Sequence, residues 1–143
     1  MMTENQHIVY LGLGSNLGDK VDNINVAVKK IEGLIGRVVR QSALYFSKPW
    51  GFESDNSFVN VVVACQTNLS PRKLLKTTQA IEREMGRTEK SLNGVYHDRI
   101  IDIDILLYDD WHIDYPDLKI PHPLMRDRDF VMVPLMEVWR GDA

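Results

Sequence analysis

The stretch "DRIIDIDILLYDD", residues 98–110, decides how the rest of the chain folds. Its isoleucines and leucines suit a strand from about Arg99 to Tyr108, and successive side chains of a strand point to opposite faces. Ile101, Ile103, Ile105 and Leu107 then point one way, and Asp102 and Asp104 the other. Along the strand the two carboxylates stand about 7 Å apart. One face of the sheet is therefore expected to meet helices, while the other carries two like charges that need a reason.

The same alternation occurs twice upstream. Val9, Leu11 and Leu13 form the apolar set of a first strand over His7–Leu13, opposite Tyr10, Gly12 and Gly14. Val59, Val61, Val63 and Cys65 form that of a strand over Phe58–Thr67, opposite Phe58 and Asn60. A further strand is expected from about Val38 to Phe46. Between the strands the period changes to three and four. Val21, Ile24, Val28, Ile31 and Ile35 mark a helix ended by Gly33 and Gly36, and Leu74, Leu75, Thr78, Ile81 and Met85 mark a second, from a Ser70 cap and Pro71 to Gly86. A polar loop over 87–98 and a terminal helix near Asp127–Val138 complete the series. The order βαββαβ predicts an α+β sandwich of ferredoxin-like type, an antiparallel sheet with helices on one face and the active site on the other.

At 143 residues, 44% hydrophobic and 26% charged, the chain fits one soluble domain spanning 1–143. Its 17 basic and 20 acidic residues nearly balance, so no general grip on nucleic acid or anionic lipid is expected. No signal-peptide pattern or membrane-length apolar run is present, and a cytoplasmic monomer is expected. Cys65 lies in an apolar run and reads as a buried side chain; His7, His97 and His112 read as surface or turn residues.

On the face opposite the helices, Gly12 leaves room, Phe58 offers a stacking surface, and Asn60 sets a donor beside an acceptor. Taken alone, the D-I-D pattern is explained more simply by a half-polar strand facing water. The sharper reading is a site for a hard divalent cation, Mg²⁺ above all, because Arg87, Lys90 and Arg99 lie close by in sequence and suit a bound polyphosphate. The segment "GLGSNLG" (12–18) does not make a dinucleotide fingerprint: its spacing is G-x-G-x-x-x-G, and Glu32 lies in a helix instead of ending a second strand.

Taken together, "GLGSNLGD" (12–19), "FVNVVV" (58–63), "QAIEREMGR" (79–87), "DRIIDIDILLY" (98–108) and "IPHPLMRDRDFVMVPL" (120–135) resemble the 6-hydroxymethyl-7,8-dihydropterin pyrophosphokinases, with the blocks in family order over nearly the whole chain. The resemblance implies transfer of pyrophosphate from ATP to the hydroxymethyl group of a reduced pterin in folate synthesis, with release of AMP. It implies that Asp102 and Asp104 hold two Mg²⁺ ions, and that Arg87 and Arg99 neutralise the transferred group with Lys90 as a further phosphate contact. Ser47, Trp50, Phe58, Asn60 and Phe130 match pterin-contacting positions; Gln79, Glu82, His122 and Arg128 match positions lining the ATP site. The segment 88–98 matches a lid, with Tyr96 where many members carry tryptophan. Two alternatives from other classes stay in view. One is a nucleotide or metal sensor on the same fold, which would not need the acids and arginines together. The other is an RNA-binding sheet, whose open face would carry basic residues in place of two acids.

Overall fold

The computed structural model describes residues 6–47, 57–86 and 100–139. Trp50, Arg87, Lys90, Tyr96, His97 and Arg99, the loop over 87–98 and the lid assigned to it lie outside the described residues.

The elements follow as β1 (His7–Ser15), α1 (Lys20–Leu34), β2 (Gly36–Gln41), β3 (Tyr45–Ser47), β4 (Phe58–Thr67), α2 (Pro71–Glu84), β5 (Asp102–Tyr108), β6 (Ile113–Tyr115), β7 (Leu118–Ile120), a 3₁₀ turn (Met125–Asp127) and α3 (Asp129–Val138). The main sheet is antiparallel in the order β2-β4-β1-β5, with β3 pairing to β4 beyond β2. β6 and β7 form a separate hairpin.

Both long helices are fixed at their starts by their own sequence. The Asp19 side chain accepts from the Asp22 amide at 3.1 Å, and the Ser70 hydroxyl accepts from the Lys73 amide at 3.2 Å, with Pro71 in the first turn of α2. Gly86, at φ 101°, stops α2 in a conformation that other residues rarely adopt. Ile24, Ala27 and Ile31 of α1, and Leu74 and Ile81 of α2, pack on the face carrying Val9, Leu11, Leu13, Val59, Val61, Val63, Cys65, Ile101, Ile103 and Ile105. Full burial of a side chain such as Leu74 or Ile81 stabilises by about 1.5–3 kcal/mol. Cys65 is wholly buried, and loss of solvent first, then the Glu32 charge, pushes its thiol up to about 12.

Several expectations need correction. Val21 is exposed and Ala27 takes the buried place on α1; Gly33 lies within that helix. The strand expected over Val38–Phe46 is two strands, because Ser42 turns its hydroxyl inward to accept from the Val62 amide at 2.9 Å and interrupts the alternation. Nor is the second face of the sheet bare. α3 covers part of it, and Val131, Leu135 and Val138 join Met125 in a second core with Ile8, Tyr10, Val62, Ala64 and Leu106. Arg40 ties the end of α3 to the sheet, donating from Nε to the Val138 carbonyl at 2.8 Å and from Nη2 to the Tyr10 hydroxyl at 3.1 Å.

Leu107 is a further correction. Tyr10 pairs with Leu107 but Leu11 pairs with Ile105, so Leu106 is an extra residue in β5. Such a bulge reverses the alternation beyond it. Leu107 consequently packs against the second core, whereas Tyr108 enters the first and donates its hydroxyl to the Leu69 carbonyl at 2.5 Å. His7 is also more than a surface residue: its Nδ1 lies 2.6 Å from Asp109 Oδ2, and its ring packs 4.8 Å from that of Tyr108. His112 is exposed, as expected.

Candidate active site

At the end of the sheet where β1 finishes and β4 and β5 begin, Gly12 lies opposite Asp104 and Gly14 opposite both Asp102 and Asn60. A Cβ at Gly14 would stand 2.8 Å from Asn60 Oδ1, so the bare glycine leaves the Asn60 side chain the place it occupies. The Asn60 side chain lies over this gap and donates from Nδ2 to the Ser47 hydroxyl at 3.0 Å. β3 supplies that hydroxyl because it pairs with β4 in a register that sets Ser47 opposite Phe58 and Tyr45 opposite Asn60.

A first cavity opens over this floor, between the sheet and the start of α3. It is lined by Gly12, Gly14, Ser47, Phe58, Asn60, Leu106, Phe130 and Val131, together with Asp102, Asp104 and Arg128. Four of the five residues expected to contact a pterin thus surround one space; the fifth, Trp50, is outside the described residues. The lining is largely apolar with a few polar groups, as suits a flat heterocycle.

A second cavity lies over the edge strand β5, between α2 and the β6–β7 hairpin. Leu75, Thr78, Gln79 and Glu82 line it from α2, Pro116 to Lys119 from the hairpin, and His122, Pro123 and Leu124 from the segment beyond. Asp102, Asp104 and Arg128 line it too. Gln79, Glu82, His122 and Arg128, the described residues expected at an ATP site, all border this space. Sequence reasoning missed the hairpin, although "IDYPDLKI" (113–120) carries a Pro-Asp turn between two short alternating runs. It also missed that Arg128 belongs to both cavities.

Where the cavities meet, charge is concentrated. The Asp104 carboxyl is pushed well above the ordinary carboxylate range by loss of solvent and by the Asp102 and Glu82 charges, with Arg128 pulling the other way; it also hydrogen-bonds to Asp102. Its side chain keeps 35% of its surface exposed, so the like charges count for more than burial. Two carboxyls close enough to share a proton suit a hard cation, which would replace that proton. Among the described residues no group of three or more metal-ligating side chains gathers at one point.

Arg128 is buried, with its guanidinium 5.6 Å from the Phe130 ring centre. His122 Nε2 lies 4.0 Å from Asp104 Oδ1, and His122 donates its backbone amide to the Leu106 carbonyl at 3.1 Å. Burial and then the Arg128 charge hold the His122 imidazole below its ordinary pKa, against an opposing pull from Asp102. Glu82, expected to face ATP, is buried and accepts the Ile103 amide on Oε2 at 2.8 Å.

Residues 10–140 match the family model for 7,8-dihydro-6-hydroxymethylpterin-pyrophosphokinase. A 2-amino-4-hydroxy-6-hydroxymethyldihydropteridine pyrophosphokinase of Porphyromonas gingivalis is 52% identical over 92% of this chain and 90% of its own length. The protein of the same name from Aquifex aeolicus is 45% identical over 91% of this chain and 79% of its own. In structure, a Plasmodium falciparum HPPK-DHPS triple mutant superposes with a TM-score of 0.76 at 17% identity, over 93% of this chain. The chain spans 40% of that longer protein, and at such identity the likeness shows the fold. No described helix is long and apolar enough to cross a membrane. The chain belongs to the 7,8-dihydro-6-hydroxymethylpterin-pyrophosphokinase family.

Proposed function

We propose that the first cavity takes 6-hydroxymethyl-7,8-dihydropterin, the second takes ATP, and the pyrophosphoryl group passes between them beside Asp102 and Asp104. One observation carries this reading: the two cavities share Asp102, Asp104 and Arg128 and otherwise differ in lining. A shared wall of acids and one arginine suits a reaction in which two ligands meet at a metal-bound polyphosphate. The sheet order, read with β2 and β3 as one interrupted strand, supports a ferredoxin-like sandwich in which the long helices cover one face and the site occupies the other.

The chain's own residues then divide the work. Phe58 and Phe130 hold the faces of the pterin ring and Asn60, oriented by Ser47, reads its edge. Gln79 and His122 border the nucleotide. Arg128 is placed to follow negative charge as it moves from one cavity to the other, since an arginine guanidinium presents its donors in a fixed fork that suits phosphate oxygens. Arg87 and Arg99 are assigned to the transferred group and Lys90 to a further phosphate contact. The hydroxyl oxygen of the pterin forms a bond to the β-phosphorus of ATP, the bond from that phosphorus to the α,β-bridging oxygen breaks, and AMP leaves with that oxygen; the hydroxyl proton passes to solvent or to a phosphate oxygen. Two Mg²⁺ ions held by Asp102 and Asp104 would supply charge neutralisation and fixed orientation of the triphosphate.

Incubation with ATP, Mg²⁺ and 6-hydroxymethyl-7,8-dihydropterin tests this directly. AMP and the pterin diphosphate are the expected products. ADP would mean transfer of a single phosphoryl group, and no nucleotide turnover would remove the catalytic reading.

A further inference from the structure

We infer that Glu82 is a positioning residue that fixes the backbone carrying Asp102 and Asp104, acting through its hydrogen bond from the Ile103 amide and without contacting the nucleotide. The inference rests on the assignment of the two aspartates as metal ligands.

Among the described residues β5 is an edge strand, paired on one side with β1 and on the other with no described strand. Ile103 stands between the two aspartates, and its amide is turned off the sheet edge, where a strand ordinarily offers an open donor to water or to another chain. Here that donor ends on Glu82 Oε2 at 2.8 Å. Glu82 itself is 5% exposed, and its helix is held by the Ser70 cap and by Leu74 and Ile81 in the core. Gln79, one turn earlier on α2, borders the same cavity and is half-buried, whereas Glu82, which also lines that cavity, is nearly inaccessible and commits its Oε2 to the strand.

A buried carboxylate is a costly choice beside two others, and it raises the Asp104 pKa further. A neutral side chain would avoid the repulsion. What the carboxylate adds is a charge-assisted acceptor, about twice as strong as a neutral one. It pins the peptide that sets the directions of both metal-facing side chains. Hydrogen-bond partners that orient metal ligands typically change metal affinity by about 10–100-fold when removed.

The test uses full-length, substrate-free protein with Mn²⁺ as the probe, its binding followed by electron paramagnetic resonance. Glu82→Gln keeps an acceptor and is expected to hold Mn²⁺ within about threefold of the parent, whereas Glu82→Met, of similar volume without a strong acceptor, is expected to weaken it about tenfold or more. Calorimetric affinity of a non-hydrolysable ATP analogue without metal should be unchanged in both. Equal weakening of Mn²⁺ binding by both variants would assign the effect to charge and overturn the positioning role; loss of analogue affinity without metal would make Glu82 a nucleotide contact and overturn it as well. Hydrogen exchange at the Ile103 amide decides the matter even if Glu82→Met does not fold: the parent and Glu82→Gln should protect it, and free exchange in the parent would end the proposal. Asp102→Asn serves as the control. If it leaves Mn²⁺ binding intact, the metal assignment fails; if it abolishes binding while Glu82→Met does not weaken it, only the inference about Glu82 fails.

Discussion

The two cavities that meet at Asp102 and Asp104 are built by different means. The first rests on paired strands: its floor is the β1–β4 ladder, its polar group Asn60 is seated by a cross-strand glycine, and Ser47 arrives through the β3–β4 register. The second lies at the edge of the sheet and is walled by one helix, a short hairpin and a proline-flanked turn. A pocket made from strand rungs has few ways to adapt, so discrimination there rests on shape. A pocket made from separate elements is adjusted by the contacts that join them. For example, Arg72 on α2 pairs with Asp117 at the hairpin tip and lies 5.3 Å from the Tyr115 ring centre.

The comparison breaks most completely at the shared wall. Asp102→Asn or Asp104→Asn is expected to lower AMP formation at saturating ligands by at least about a thousandfold, near 4 kcal/mol. Melting in EDTA should show an unchanged or raised Tm for either variant, because a like-charge repulsion is removed. Normal turnover in both would take the metal away from the aspartates.

Gly14→Ala separates the cavities. A methyl group 2.8 Å from Asn60 Oδ1 must displace that side chain, and overpacking of this kind costs about 1–3 kcal/mol. Pterin affinity should fall by about 10–100-fold, while affinity for an ATP analogue stays within about twofold. Calorimetry with each ligand alone reads both numbers, and equal losses would mean that the strand floor supports the two pockets together.

A pH series in EDTA sharpens the account of the shared wall. A carboxyl whose pKa is raised on folding contributes no penalty below its unfolded value and a growing one as the pH climbs from there towards its folded value. Metal-free protein should therefore lose stability across that rise, Asp104→Asn should flatten the slope, and Mg²⁺ should oppose it. Thermal melts from pH 4 to 8 give the slopes.

Smaller effects mark the joints. Ser47→Ala removes the partner of Asn60 and should weaken pterin binding by about 1 kcal/mol, leaving the nucleotide unaffected. Arg72→Ala, on an exposed pair, should shift ATP-analogue affinity by less than about 1 kcal/mol and by more at low salt. A tenfold change at either position would show that the pocket leans on a single contact.

The parts of this architecture that were legible in the sequence are those set by period. Alternation in β1, β4 and β5 placed Gly12, Phe58, Asn60, Asp102 and Asp104 on one face, and the Ser70–Pro71 start placed α2 to within a residue. What escaped depends on pairing. No local pattern announces that Ser42 will take a ladder bond, that Leu106 will be skipped, or that α3 will fold back over a face expected to be open. Glu82 shows the limit well: on its helix it reads as polar and outward, and only the neighbouring strand edge explains why a carboxylate lies buried there.

The extra residue at Leu106 acts as a change of phase within a single strand. Before it, the rhythm of β5 presents acids to one side and isoleucines to the other. After it, the rhythm serves anchoring, handing Tyr108 to Leu69 and the helices. Plain alternation with Leu106 kept in step would carry Tyr108 to the wrong side while leaving Asp102 and Asp104 where they are. The two ends of the strand are in this sense written in separate frames, so mutation can retune the anchored end without rephasing the aspartates.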